Sequence, residues 1–158
     1  EQVYVFPSHY KKDNYKKYAL KECYLSSTAP ENEKNFVYFL ESNKAVEFWM
    51  KNGDHGSEAL SVPYYSTIEN KDRLFYPDWF IWTKNNLWIV DTKAGLTASD
   101  PDTKAKALAL HAYLKAQEGL QGGIVVQDGP NGWKINMNTN YEYTTALKGW
   151  DNINDILK

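Results

Sequence analysis

The stretch Tyr76-Pro77-Asp78-Trp79-Phe80-Ile81-Trp82-Thr83-Lys84-Asn85-Asn86-Leu87-Trp88-Ile89-Val90-Asp91-Thr92-Lys93 decides the fold. Two apolar, aromatic runs flank an Asn-Asn pair, the pattern of a β-hairpin between buried strands. Asn tolerates positive φ, so a two-residue turn is expected at Asn85-Asn86, with Lys84 paired to Leu87. That register sets Asp78 opposite Lys93 and Asp91 opposite Phe80. Side chains alternate with period two, which puts Asp78, Asp91 and Lys93 on one face. Partly buried charges cost roughly several kcal/mol each unless they are paired or coordinate a metal. Two acids with one lysine leave a net negative site, suited to a hard divalent cation such as Mg²⁺ with oxygen ligands and several waters. Lys93 beside that cation can orient a water and hold a phosphate oxygen, which is the equipment of metal-assisted phosphodiester hydrolysis. The competing reading is a plain cross-strand salt bridge between Asp78 and Lys93, with Asp91 at a strand end.

On the N-terminal side, Thr28-Ala29-Pro30-Glu31 reads as a helix start. Thr28 is the expected N-cap, Pro30 lies in the first turn and Glu31 reaches back as in a capping box. Within that helix, over 29–41, Glu33, Phe36, Val37 and Leu40 share one face. Glu33 is thus a carboxylate at the leading end of a buried stripe. Strands are expected over 45–50, 59–65, 73–83 and 87–93, with Lys51-Asn52-Gly53-Asp54 as a turn.

On the C-terminal side, Asp100 is the expected N-cap and Pro101 the first residue of a helix running to about Gln117. Ala105, Leu108, Ala109 and Ala112 give that helix a small-residue face. Gly122-Gly123 is read as the end of a turn, Ile124-Val125-Val126 as a buried strand, 129–132 as a hairpin turn into 133–137, and a short helix closes the chain from about Asp151. Helix, strands, helix and strand again make an α/β sandwich around a mixed central sheet flanked by helices, over 29–158.

Residues 1–28 read as an N-terminal arm. Residues 2–6 alternate weakly as a strand, and residues 10–18 interleave lysines with tyrosines. That interleaving fits phosphate contact with base stacking, or a solvated helix whose tyrosines pack on the domain. The whole chain has 158 residues, 42% hydrophobic and 24% charged, enough to bury a core. Its net charge of −2 does not advertise a nucleic-acid binder, although residues 1–24 carry five lysines against three acids. No run approaches the roughly 18 apolar residues of a membrane span. Cys23 is the single cysteine, which excludes an internal disulfide and suits a reducing, cytoplasmic compartment. His9, His55 and His111 lack metal-ligand spacing. The absence of a G-x-x-x-x-G-K-[ST] run excludes a Walker A loop. A start at Glu1 suggests a piece of a longer polypeptide.

Pro77-Asp78, thirteen residues before Asp91-Thr92-Lys93, resembles the PD-(D/E)xK motif of the restriction-endonuclease-like nuclease superfamily. The expected helix, three strands, helix and strand are similar to its αβββαβ core. More narrowly, Glu33-x-x-Phe36, Val46-Glu47-Phe48-Trp49-x-Lys51-Asn52, Phe75-Tyr76-Pro77-Asp78 and Asp91-Thr92-Lys93 resemble the C-terminal nuclease domain of type III restriction subunits and related helicase–nuclease proteins. The resemblance covers about residues 28–130. It implies a metal-dependent endonuclease acting on double-stranded DNA, with Mg²⁺ as cofactor and Mn²⁺ as a substitute. It implies partners too: an ATP-dependent helicase or translocase region of the same polypeptide, and a modification subunit.

Carried over position by position, the resemblance makes Asp78 and Asp91 metal ligands, with the Thr92 carbonyl as a third. Lys93 becomes the catalytic lysine, and Glu33 the helix acid that helps hold the metal or its water. Lys106, with Lys104 as its competitor, becomes the polar residue of the second helix. Asp91 stands where the nearest relatives more often carry Glu. The competing expectation is the same fold kept as an idle DNA-binding or assembly module.

Overall fold

The computed structural model describes residues 7–158; the weak strand expected over 2–6 lies outside them. The chain has a mixed α/β fold with one larger β-sheet. Its elements run β1 (Tyr10–Asp13), β2 (Cys23–Ser26), α1 (Glu31–Ser42), β3 (Phe48–Lys51), β4 (Val62–Ser66), β5 (Lys71–Phe75), β6 (Trp79–Trp82) and β7 (Leu87–Lys93). They continue with α2 (Leu96–Ser99), α3 (Pro101–Lys115), β8 (Leu120–Asp128), β9 (Gly132–Asn136), β10 (Asp151–Asn152) and α4 (Ile153–Ile156). The large sheet has the order β10-β9-β8-β7-β6-β3, while β1-β2 and β4-β5 form separate two-stranded ribbons. Among the named strands of the described residues only β7 and β8 pair in parallel, and the chain crosses between them through α2 and α3, as a parallel pair requires.

The sheet is covered on both faces. Phe36, Val37 and Leu40 of α1 meet Trp49, Trp79, Ile81, Trp88, Val90, Val125 and Ile135 in one core. On the opposite face Leu110 and Leu114 of α3 pack with Ile89 of β7 and with Val62 and Phe75 of the β4–β5 ribbon. Alternation along β7 therefore sends Trp88, Val90 and Thr92 toward α1, and Ile89, Asp91 and Lys93 toward α3. Among the described residues no helix is long and apolar enough to cross a membrane.

Helix α3 starts as its sequence dictates, with the Asp100 carboxylate accepting from the Asp102 amide at 2.8 Å and Pro101 opening the helix. Its buried stripe is Thr103, Ala107, Leu110 and Leu114, whereas Leu108 is 39% exposed. The small-residue face expected through Leu108 is thus corrected; Ala and Leu surround this helix on most sides, so their pattern selects no face. Helix α1 lacks the expected capping box. Pro30 is its N-cap, without a side-chain cap, and the Thr28 hydroxyl instead meets that of Ser26 at 2.8 Å. Proline holds the residue before it extended, which keeps Thr28 away from the first turn.

Two further expectations are corrected in the strands. The single strand expected over 73–83 is two, β5 and β6, because Pro77 carries no amide to continue a ladder. Gly122 and Gly123 lie within β8 rather than ending a turn, with φ of 151° and 157°. A Cβ on Gly122 would stand 1.8 Å from the Ile89 carbonyl oxygen, and one on Gly123 2.0 Å from that of Asn136. These two positions must be glycine for the neighbouring backbones to come this close.

Of the Lys/Tyr-rich segment, residues 10–13 form β1, antiparallel to β2, and none of it is helical. Beyond β1, Tyr18 bridges to Trp49, with the Ala19 amide bonding to the Trp49 carbonyl at 2.8 Å and the Trp49 amide to the Lys17 carbonyl at 2.9 Å. Tyr15 and Tyr18 lie against the Trp49 ring at 5.3 and 4.8 Å between centroids. The Glu41 carboxylate ties the segment down by accepting from the amides of Lys16 and Lys17 and from the Trp49 indole. Cys23, fully buried, belongs to the α1-side core.

Candidate active site

The β6–β7 hairpin differs in register from the sequence expectation. Trp82 pairs with Leu87 and Trp79 with Val90, so the two turn residues are Lys84 and Asn85. Among the described residues the only non-glycine positions with positive φ are Asn70 and Leu147. The left-handed Asn that the Asn85-Asn86 turn invoked is therefore not used. Instead the Thr83 amide and hydroxyl both donate to the Asn86 carbonyl, at 3.0 and 3.3 Å. The correction moves the pairing by two residues, which brings Asp78 level with Asp91 rather than Lys93. A slip of two keeps Asp91 and Lys93 on one face. Asp78, however, lies beyond the ladder and its carboxylate meets the Thr92 hydroxyl and Lys51 on the α1 side, so the single face expected for all three is corrected to Asp91 and Lys93 alone.

At the open end of this hairpin the ladder stops after Trp79 and Val90. Asp78 fills the gap. Its Oδ2 accepts from the Thr92 amide at 2.9 Å and the Thr92 hydroxyl at 2.7 Å. Its Oδ1 accepts from the Lys51 ammonium at 3.0 Å. The amide and carbonyl of one strand residue point to the same side, so the Thr92 carbonyl also faces the space that Asp78 occupies. The same Lys51 ammonium lies 2.8 Å from Glu33 Oε2 and 4.4 Å from the centre of the Trp79 ring. Asp91, buried on the α3 side, is ion-paired with Lys93.

Helix α3 adds Lys106. Its ammonium stands over Tyr64 at 5.3 Å and Phe75 at 5.9 Å from the ring centres, and that of Lys93 is also 5.9 Å from the Phe75 ring. Lys104 is exposed. The expected residues thus fall into two groups: Glu33 and Asp78 about Lys51, and Asp91 with Lys93 and Lys106 on the α3 side of the sheet. Thr92 joins them.

Burial and mutual charge set the protonation of these groups. Burial, reinforced by the neighbouring Asp78 charge, pushes the Asp91 carboxyl up to about 7 despite Lys93. Burial also works against the Asp78 charge, but Lys51, Lys93 and the two Thr92 hydrogen bonds outweigh it and hold that carboxyl below its ordinary value. For both lysines, burial opposes the charge and the carboxylates prevail. Lys51 is raised by Asp78 and Glu33, and Lys93 by Asp91 and Asp78.

Two residues that shape the site, Lys51 and Asn52, stand in the motif that carries the resemblance but have no site role among the expectations. Lys51 was expected in a turn; it is the last residue of β3, paired with Trp79. Alternation from the apolar Trp49 would have placed it on the α1 side. Asn52, 8% exposed, is expected only as a turn and motif residue, with no structural role of its own. Its amide nitrogen donates to the carbonyls of Leu60 and Pro77, at 2.9 and 2.8 Å, and its oxygen accepts from the Leu60 amide at 3.1 Å. With the Asn52 backbone amide on the Asp78 carbonyl at 2.7 Å, this residue fixes the Pro77-Asp78 corner.

Among the described residues no three His, Cys, Asp or Glu side chains form a group that can hold a metal ion. A zinc or calcium cage is built from such groups, whereas Mg²⁺ is held by one or two carboxylates and keeps several waters. Asp78, Asp91 and the Thr92 carbonyl offer hard oxygen atoms near the open end of the hairpin, with both Asp78 oxygens held by Lys51 and Thr92 and Asp91 held by Lys93. No curated protein and no solved structure matches the chain. Residues 18–151 match the model of the YagJ family, and the chain belongs to that family.

Proposed function

We propose that this chain is a Mg²⁺-dependent DNA endonuclease domain of the restriction-endonuclease-like class, with Mn²⁺ as a substitute ion. One observation carries the reading: Asp78, Asp91, Thr92 and Lys93 meet where the β6–β7 ladder opens, with Glu33 of α1 reaching the same opening through Lys51. The order α1, β3, β6, β7, α3, β8, with the last two strands parallel, supports the αβββαβ assignment. When bound, the ion supplies Lewis-acid stabilisation of a phosphoryl oxygen and lowers the pKa of a bound water.

The chain's own residues do the rest. Thr92 fixes one Asp78 oxygen, Lys93 places a positive charge beside the reacting phosphate, and Lys106 meets a neighbouring phosphate oxygen. The domain works within a larger cytoplasmic polypeptide, whose ATP-dependent helicase or translocase region and modification subunit bring double-stranded DNA to it. A net charge of −2 supports this division of labour.

A second reading, an idle binding or assembly module, draws on the fact that each Asp78 oxygen already has a protein partner. Incubation with supercoiled plasmid separates the two. The nuclease reading expects nicked circles with Mn²⁺, none with EDTA, and a loss of about 10²–10³-fold in Lys93→Ala, whose circular dichroism stays that of the wild type. Equal nicking by both proteins overturns the mechanism. A wild type that binds Mn²⁺ but never cleaves supports the idle module.

A further inference from the structure

We infer that Lys51 is the resident cation of this site: its ammonium stands where a second divalent ion would bind, so the site takes one divalent ion and not two. The inference rests on the nuclease reading and concerns the count of ions rather than the chemistry. Two-metal hydrolases hold their ions about 4 Å apart and need carboxylate oxygens for each. Here the oxygens available for the second ion, Glu33 Oε2 and Asp78 Oδ1, converge on Nζ of Lys51 at 2.8 and 3.0 Å.

Three features make this ammonium a fixture. Its backbone is the last rung of the β3–β6 ladder, paired with Trp79. Its charge lies over the Trp79 ring at 4.4 Å, a cation–π contact. It joins carboxylates from two separate elements, the α1 helix and the corner before β6, and its side chain is 25% exposed.

Lys93 is different, because it pairs with a single carboxylate two residues away on its own strand. A divalent ion arriving at Asp91 displaces one contact of Lys93. Arriving between Glu33 and Asp78, it would have to break two contacts of Lys51. The inference therefore gives Glu33 and Asp78 Oδ1 to Lys51, and leaves Asp78 Oδ2, Asp91 and the Thr92 carbonyl for the one divalent ion.

The test counts Mn²⁺ ions by the electron paramagnetic resonance of free Mn²⁺ during titration of the full chain. It compares wild type with Lys51→Ala, Lys51→Gln and Lys51→Arg. Gln keeps hydrogen-bond donors toward Glu33 and Asp78 without the charge, so it remains informative if Lys51→Ala fails to fold in a melting experiment. One ion in wild type and Lys51→Arg, with two in Lys51→Gln and Lys51→Ala, is the expected result. One ion in all four proteins overturns this inference and leaves the nuclease reading standing, as do two ions in the wild type. No ion in any of the four overturns both.

Discussion

The two ends of the β6–β7 hairpin share a ladder and differ in how they are finished. At the closed end the backbone completes itself, with Thr83 donating twice to the Asn86 carbonyl. At the open end Pro77 halts the pairing, and Asp78 supplies from its side chain the acceptor that the Thr92 amide would otherwise lack. Between them the ladder carries Ile81 and Trp88 into the α1-side core. The closed end holds the fold together with apolar area and local hydrogen bonds. The open end draws charged groups from α1, β3 and α3, because polar backbone exposed by the break must find partners. Candidate chemistry collects where the regular structure runs out.

Four measurements sharpen or break this contrast. Ile81→Ala, in the fully buried middle of the hairpin, is expected to cost about 3 kcal/mol of stability in urea titration. Activity per folded molecule should persist; a mutant as stable as wild type would mean that the apolar ladder is not what holds the fold. Asn52→Ala strips partners from the Pro77 and Leu60 carbonyls and the Leu60 amide, at a cost of about 2 kcal/mol. It should also reduce plasmid nicking, since the corner that carries Asp78 loosens. A purely thermal effect would separate Asn52 from the site.

The third measurement concerns Asp91, whose carboxyl rises on folding from 3.8 to about 7. A carboxyl raised in this way contributes stability that is complete below its unfolded value and is lost as pH climbs through its folded value. Metal-free protein is thus expected to melt about a few degrees lower near about pH 8 than near about pH 5. Asp91→Asn should flatten that dependence, and an unchanged profile would place the titration elsewhere. Smallest is Thr83→Val, which removes one hydroxyl bond at the closed end and should lower stability by about 0.5–1 kcal/mol while leaving nicking unchanged.

Much of the architecture is legible in local chemistry. Asp100 and Pro101 announce α3 because a carboxylate acceptor and a residue without an amide suit the first turn. Phe36, Val37 and Leu40 announce the buried face of α1 through their spacing. The shared side of Asp91 and Lys93 follows from strand alternation alone. Register does not follow so simply. A turn at Lys84-Asn85 or at Asn85-Asn86 is equally consistent with the letters, and the structure takes the first, closed by the Thr83 amide and hydroxyl on the Asn86 carbonyl. Lys51 was hidden for a related reason: next to Asn-Gly-Asp it reads as turn, while pairing with Trp79 across the sheet keeps it in β3. Gly122-Gly123 likewise reads as punctuation, until the carbonyls of Ile89 and Asn136 show that the neighbouring strands leave no room for a Cβ.

β3 and β6 are neighbours in the sheet, yet residues 52–78 separate them in sequence and include the whole β4–β5 ribbon. The Asn52 side chain grips both the outgoing chain at Leu60 and the returning chain at Pro77. The base of the excursion is closed independently of what lies beyond it, much as a clasp closes a necklace of any length. Val62 and Phe75 of the ribbon pack on α3, so its exposed tip between β4 and β5 is the place to graft a foreign recognition loop onto the scaffold without shifting Asp78.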